Sequence, residues 1–263
     1  MLLARMAHGT RVCNFAGVKI ALDLAEPAHR SIYVNGDFEP ELSLALRRAM
    51  HPGDVFLDIG ANLGWHTLHL LARRKDVAIA YAVEPQQRNI ELLNLALKAN
   101  NLDRRCRVKR LALGAKPGKV VLKKFEGLDS MHASAYALGD LPFQEEEVPC
   151  ETVDDLVSVM DSAPSVVKCD VEGSEFEVLQ GAERTLRGHR GAPPLWFLEA
   201  NYETSAMAGY FPWNLIEWAA NYGYHSYTIR SGGITAVSPK GLRHGDTLVL
   251  AIPEIHGSRL NFN

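Results

Sequence analysis

Hydrophobic and polar positions change period several times along the chain, and each change predicts an element. Residues 17–24, GVKIALDL, set Val18, Ile20, Leu22 and Leu24 on one side of a two-residue period, the pattern of a half-buried strand. Residues 39–50 space Leu42, Leu46 and Ala49 or Met50 at helical intervals. HPGD at 51–54 reads as a turn. From residue 55 onward strands and helices alternate. VFLDIG, AIAYAVEP, RVKRLAL, VVKCDVEG and PLWFLEAN predict five strands, with helices over 64–73, 86–99 and 175–187. PWNLIEWAANYG predicts a helix that begins at Pro212 and stops before Gly223. YHSYTI and TLVLAI are two last strands.

Such alternation implies an α/β architecture, a parallel sheet covered by helices on both faces. Ligands of these sheets bind beyond the C-terminal ends of the strands, near the point where strand order reverses. The last residues of each strand therefore hold the candidate chemistry. One interruption, residues 115–150, carries an extra strand, KVVLKKF, and then a polar stretch without clear period, as expected of a lid or substrate wall. The expected organisation is an N-terminal extension over 1–50 packed on the core, a catalytic domain over 51–252 and a C-terminal tail over 253–263.

Composition narrows the class. A chain of 263 residues, 47% of them hydrophobic, suits one globular domain of ordinary size, or one domain with an extension. Its net charge of −3 gives no global pull toward nucleic acid or an anionic membrane, so neither is expected as a partner. The basic run from Arg104 to Arg110 reads as a solvated face. Cys13, Cys106, Cys150 and Cys169 form no C-x-x-C pair, which argues against zinc and redox motifs and fits a reducing cytoplasm. The N-terminus lacks the apolar core of a signal peptide. No run approaches the roughly 18 apolar residues of a membrane span. The expected setting is cytoplasmic.

The first alternating strand runs into Asp58-Ile59-Gly60-Ala61-Asn62-Leu63-Gly64. Glycine allows a tight turn and a close approach to a ligand, and the free N–H groups of the next helix face the same space. A dinucleotide fingerprint needs glycine at 60, 62 and 65; Asn62 and Trp65 break it, which argues against a nicotinamide cofactor. The second strand ends Val83-Glu84-Pro85, where an acid can accept both hydroxyls of a ribose. The fourth ends with Asp170 and Glu172, two carboxylates at the strand's mouth, and Ser174 with Glu177 predicts a capping box with no chemical role. Glu199 and Asn201 close the fifth strand, so these polar groups could converge with Asp170 and Glu172 on one cleft.

DIGANLGWHT, AVEPQQRNIELLNLALKAN and VVKCDVEGSEFEVLQGAERTL, in this order, resemble the FkbM-type family of S-adenosylmethionine-dependent methyltransferases over residues 36–202. The resemblance implies a Rossmann-like, doubly wound seven-stranded sheet, mostly parallel, with the last strand, TLVLAI, antiparallel. It implies S-adenosyl-L-methionine as cofactor. Asp58, Gly60, Asn62 and Gly64 would surround its methionine part, with Asp170 nearby. Glu84 would hold the ribose beside Pro85, and Ala112 and Leu113 would pack near the adenine. Related methyltransferases often carry an acid at that last position; LALG has none, so adenine recognition would rest on backbone and apolar contacts. Glu39, in FEPE, would meet the cofactor's amino group.

Methyl transfer requires a nucleophile held about 3 Å from the methyl carbon and in line with the C–S bond. An alcohol acceptor also loses a proton, so a nearby base helps; Asp170, Glu172 and His132 in the insertion are the candidates. A Mg²⁺ route through Asp170, Glu199 and Asn201 would suit hard oxygen ligands, but Ala200 separates the last two and no metal is assigned. The expected reaction is O-methylation of a sugar or other small natural product, with a small-molecule acceptor. N-methylation of a peptide side chain or amine is the close variant. A nicotinamide-dependent oxidoreductase and a non-catalytic cofactor-binding module are the alternatives of other classes.

Overall fold

A computed structural model describes residues 9–125, 143–230 and 233–260. The strands β1 (Thr10–Phe15) and β2 (Val18–Asp23) pair as an antiparallel hairpin. Ala16 and Gly17 between them have φ of 48° and 86°, as a two-residue turn between twisted strands requires. The helices α1 (Pro27–Asn35) and α2 (Pro40–Ala49) follow. The core then runs β3 (Val55–Ile59), α3 (Trp65–Arg73), β4 (Ile79–Val83), α4 (Gln87–Ala99) and β5 (Cys106–Lys109). Next come β6 (Ala112–Leu113), β7 (Gly118–Phe125), β8 (Phe143–Glu151) and α5 (Val153–Val159). The chain returns through β9 (Val166–Cys169), α6 (Glu175–Gln180), α7 (Glu183–Leu186) and β10 (Leu195–Ala200). It ends with α8 (Tyr202–Met207), α9 (Pro212–Ala220), β11 (His225–Arg230), β12 (Gly233–Ala236), β13 (Asp246–Ala251) and α10 (Pro253–Leu260).

The central sheet has the order β12-β11-β13-β10-β9-β3-β4-β5. β3 pairs in parallel with β4 and β9, and β9 with β10, while β13 enters antiparallel between β10 and β11. The chain moves outward from β3 to β5 and then restarts at β9 on the other side of β3. That reversal opens a crevice at the strands' C-terminal ends. Two apolar layers flank the sheet. Phe56, Ala80, Ala82, Val166 and Phe197 face the layer that includes α2, α3, α4 and the N-terminal hairpin. Val55, Leu57, Ile59, Val167, Cys169 and Leu198 face the layer of α5, α6 and α9. Burial on both sides explains why these strands read as apolar runs rather than alternations.

Several boundaries depart from the sequence reading. RVKRLAL is two strands: β5 ends at Lys109, and Ala112–Leu113 leaves the sheet to pair with Cys150 and Glu151 of β8. The insertion is a second sheet of order β6-β8-β7, in which Lys123 lies in register with Glu145 and Lys119 forms an ion pair with Glu147. The helix expected over 175–187 breaks at Gly181, where a Cβ would lie 2.1 Å from the Gly114 carbonyl oxygen. The short strand β12 adds an eighth member at the edge. Arg105, in the basic run, is a clamp rather than a solvated side chain: it donates to the carbonyls of Leu71, Arg74 and Val77.

Candidate active site

The two-residue period of the strands decides which polar groups meet. Asp58 follows Phe56 by two residues, Lys168 follows Val166, and Glu199 follows Phe197, so all three share the face that carries α2 to α4. Asp58 and Lys168 are also direct partners across β3 and β9. Lys168 Nζ lies 3.6 Å from Asp58 Oδ1 and 3.2 Å from Asp170 Oδ2. It donates to the Gly60 carbonyl at 2.9 Å. Thr67 Oγ1 donates to the other Asp58 oxygen at 2.6 Å. Burial opposes the charge on Lys168, but Asp170, Asp58 and Glu39 outweigh it and hold the ammonium above its ordinary range.

The loop after β3 has three left-handed residues, Gly60 at φ 71°, Asn62 at 51° and Gly64 at 83°. A Cβ on Gly60 would lie 1.8 Å from the Asp170 carbonyl oxygen, and one on Gly64 2.2 Å from Leu93 Cδ1. These glycines let β3 close on β9 and α3 close on α4. Asn62 tolerates the left-handed region better than most residues. Its N–H donates to Glu84 Oε2 at 2.9 Å, while Glu84 Oε1 accepts from Gln86 N–H and Asn89 Nδ2. Burial pushes the Glu84 carboxyl up, and these hydrogen bonds pull against that rise.

His66, buried at the start of α3, links two helices. Its Nε2 is 2.9 Å from Glu39 Oε2 and its Nδ1 is 3.1 Å from Ser43 Oγ. A proton on Nε2 leaves Nδ1 to accept from the serine hydroxyl. Burial works against ionisation of Glu39, yet the His66 hydrogen bond and the charges of His66 and Lys168 bring its carboxyl below the ordinary value. Glu39 holds this place with φ at 46°, and Glu172 is likewise left-handed at 53°. Such backbone costs about 1–3 kcal/mol and collects at ligand sites.

The acids behind Asp170 behave differently. Glu175 is buried and accepts from the N–H groups of Val171 and Gly173 and from the Tyr210 hydroxyl. Carboxylate oxygens of Asp170, Glu175 and Glu199 lie within 4.8 Å of one another. Burial, followed by the charges of Asp170, Glu172, Glu175 and Glu39, pushes Glu199 up to about 9, so it keeps its proton at neutral pH. Asn201 does not join them as the metal route required. Its Oδ1 caps α8, accepting from the N–H groups of Glu203 and Thr204.

A cleft of about 1100 Å³, including its open mouth, lies over the strand ends. Of the residues expected from sequence, Gly60, Asn62, Glu84, Pro85, Ala112, Leu113, Asp170 and Glu172 line it. Asp58 lies beneath it, fully buried, and Gly64 packs under the start of α3. Glu39 meets it through His66. His132 falls outside the described residues. Sequence reasoning missed Lys168 and His66. Lys168 carried a signal: it is the lone charge in an apolar strand, two residues before Asp170 and hence on the same face. The expected capping box is absent, for Ser174 makes no side-chain cap bond, and Ser174 and Glu177 line the cleft instead.

The family described as Methyltransferase FkbM domain matches residues 58–226. The chain belongs to this family. The family is one of methyltransferases, and the matched span runs from the end of β3 through β10 into the start of β11, so it includes every strand end described above but not Glu39. Among solved structures, methyltransferase FkbM from Methylobacillus flagellatus KT is similar with 20% identity and a TM-score of 0.53, over 87% of this chain and 51% of that one. The chain thus spans about half the length of that protein. Precorrin-6y C5,15-methyltransferase from Geobacter metallireducens GS-15 is similar with 11% identity and a TM-score of 0.44, over 81% of this chain and 86% of that one. Trm5 from Methanocaldococcus jannaschii, in complex with adenosine, gives 12% identity, a TM-score of 0.45 and coverages of 92% and 53%. No curated protein matches the chain. The family match and the likeness to the Methylobacillus flagellatus structure establish the Rossmann-like methyltransferase fold. Among the described residues, no helix is long and apolar enough to cross a membrane.

Proposed function

We propose that this protein transfers a methyl group from S-adenosyl-L-methionine to a hydroxyl of a sugar or other small natural product. The observation that carries the cofactor reading is the meeting of the Gly60–Gly64 loop, Glu84 and the Asp170 strand end in one cleft. The donor set fits. Glu84, Asp170 and Glu172 outnumber Lys168 along its wall, which suits a ligand carrying a sulfonium and an ammonium. Asp58 Oδ1, buried close under the loop, makes no hydrogen bond, with the Lys168 ammonium 3.6 Å away as its counter-charge. Leu111, Leu113, Val120 and Leu122 give an apolar slot for a flat base.

When bound, S-adenosyl-L-methionine supplies a methyl carbon already activated by sulfonium. Asp58, Gly60, Asn62 and Gly64, with Glu39, hold the methionine end. Glu84 keeps acceptor capacity beyond its three protein hydrogen bonds and takes the ribose beside Pro85. Lys168 fixes the Asp170 carboxylate. Asp170 and Glu172, at the mouth of β9, orient the acceptor hydroxyl and take its proton. The acceptor is a small molecule, and the setting is the cytoplasm.

Calorimetry with S-adenosylhomocysteine tests the cofactor, and labelled S-adenosyl-L-methionine with hydroxyl- and amine-bearing acceptors tests the reaction. Micromolar binding and label on oxygen are expected. No binding overturns the cofactor reading, and label only on nitrogen overturns the O-methylation reading.

A further inference from the structure

The β5 end carries no acid to meet an adenine, and its continuation, Arg110-Leu111-Ala112-Leu113, leaves the sheet for β6. The 6-amino group of adenine is a hydrogen-bond donor, and a donor buried without an acceptor costs about 1–3 kcal/mol. A charged side-chain acceptor for adenine has therefore to come from another element. The wall next to β6 is α6. The Gly181 backbone packs against the Gly114 carbonyl so closely that a Cβ there would lie 2.1 Å away. This contact fixes α6 beside Leu113 and Cys150.

Two side chains at the start of α6 are free of the role their spacing predicts. Ser174 makes no cap bond, and Glu177 lines the cleft with it. Glu177 is exposed to the cleft and solvent rather than packed in the core. Its charge is felt at Cys150, whose thiol is pushed up first by burial and then by Glu177. Cys150 in turn lies opposite Ala112 across β6 and β8. A carboxylate thus lines the same cleft as the apolar slot of Leu111, Leu113, Val120 and Leu122, near Cys150.

We propose that Glu177, with Ser174 beside it, reads the 6-amino edge of the cofactor's adenine and supplies from α6 the acceptor that the β5 end lacks. The assignment rests on the cofactor reading above. A carboxylate accepts from an amino group and repels a carbonyl oxygen, so Glu177 sets a preference for adenine over hypoxanthine.

Calorimetry with S-adenosylhomocysteine and S-inosylhomocysteine, which has a 6-oxo group in place of the amine, tests this. The parent protein should prefer the adenine compound by roughly tenfold or more, the value of a charge-assisted hydrogen bond. In Glu177→Ala the preference should fall to within about threefold, chiefly by loss of adenine affinity. Glu177→Gln, whose amide can donate to the 6-oxo group, should narrow it further or reverse it. Thermal denaturation of both variants checks that the fold is kept. Glu177→Ala discriminating as well as the parent overturns the assignment of Glu177 and leaves the cofactor reading intact. A parent that binds neither compound overturns both.

Discussion

Lys168 Nζ stands 3.2 Å from Asp170 Oδ2 at the mouth of β9, and the same ammonium neutralises Asp58 on the neighbouring strand. Both lysine and Asp58 are almost wholly enclosed, so neither charge has water to fall back on. Lys168→Met is expected to destabilise the fold by about 3–5 kcal/mol, the cost of leaving a buried charge without its partner. Adding Asp58→Asn should restore part of that loss. Urea denaturation of the single and double variants measures it; an unchanged midpoint in the single variant would show that Lys168 is not the counter-charge.

Gly60 joins β3 to the cleft at φ 71° with the Asp170 carbonyl where a Cβ would stand. The atoms nearest to an alanine Cβ there are those of the Asp170 backbone carbonyl, which cannot swing aside as a flexible side chain can. Gly60→Ala should cost about 2 kcal/mol or more, since the left-handed conformation alone is worth roughly 1–2 kcal/mol. Because the strain is released by parting β3 from β9, S-adenosylhomocysteine affinity should fall with the melting temperature. A variant that melts and binds like the parent would refute this packing.

Glu172 holds a left-handed backbone that asparagine adopts more readily. Glu172→Asn should therefore keep stability within about 1 kcal/mol of the parent. Cofactor affinity should be retained while turnover falls roughly 100-fold, the contribution typical of a proton-accepting group. Unchanged turnover on the natural acceptor would remove Glu172 from the chemistry without touching the fold.

Glu199 gives a pH signature. Its ordinary value is 4.5, and burial beside other acids pushes it up to about 9 in the folded chain. Below pH 4.5 both folded and unfolded states hold the proton. Between 4.5 and about 9 the unfolded chain releases it and the folded chain does not, so stability falls as pH rises through this window. Glu199→Gln mimics the protonated acid and should flatten that slope. Denaturation midpoints across the window check the sign.

Much of the site was legible because its residues sit where local rules put them. DIGANLG is a strand, a tight turn and a helix start within ten residues, and Glu84, Asp170 and Glu172 are strand ends that any alternating α/β chain directs to one crevice. Motifs with two local explanations were misread. Ser174-x-x-Glu177 has the spacing of a capping box, but the start of α6 takes Glu175 as its organiser, through Val171 and Gly173. Asn201, left without a metal role in the sequence, is the cap of α8.

The periodicity of single strands and helices, the turn residues and the polar strand ends were fixed by the sequence itself, since each depends on neighbours within about a turn. Only the tertiary structure decided that Lys168 lies against Asp58, that β6 leaves the sheet for β8, that Glu199 keeps its proton and that Glu177 reaches the cleft. Those outcomes depend on strand register and on charges brought together from distant segments. Burial then multiplies their electrostatic effect, because the interior screens charges far less than water does.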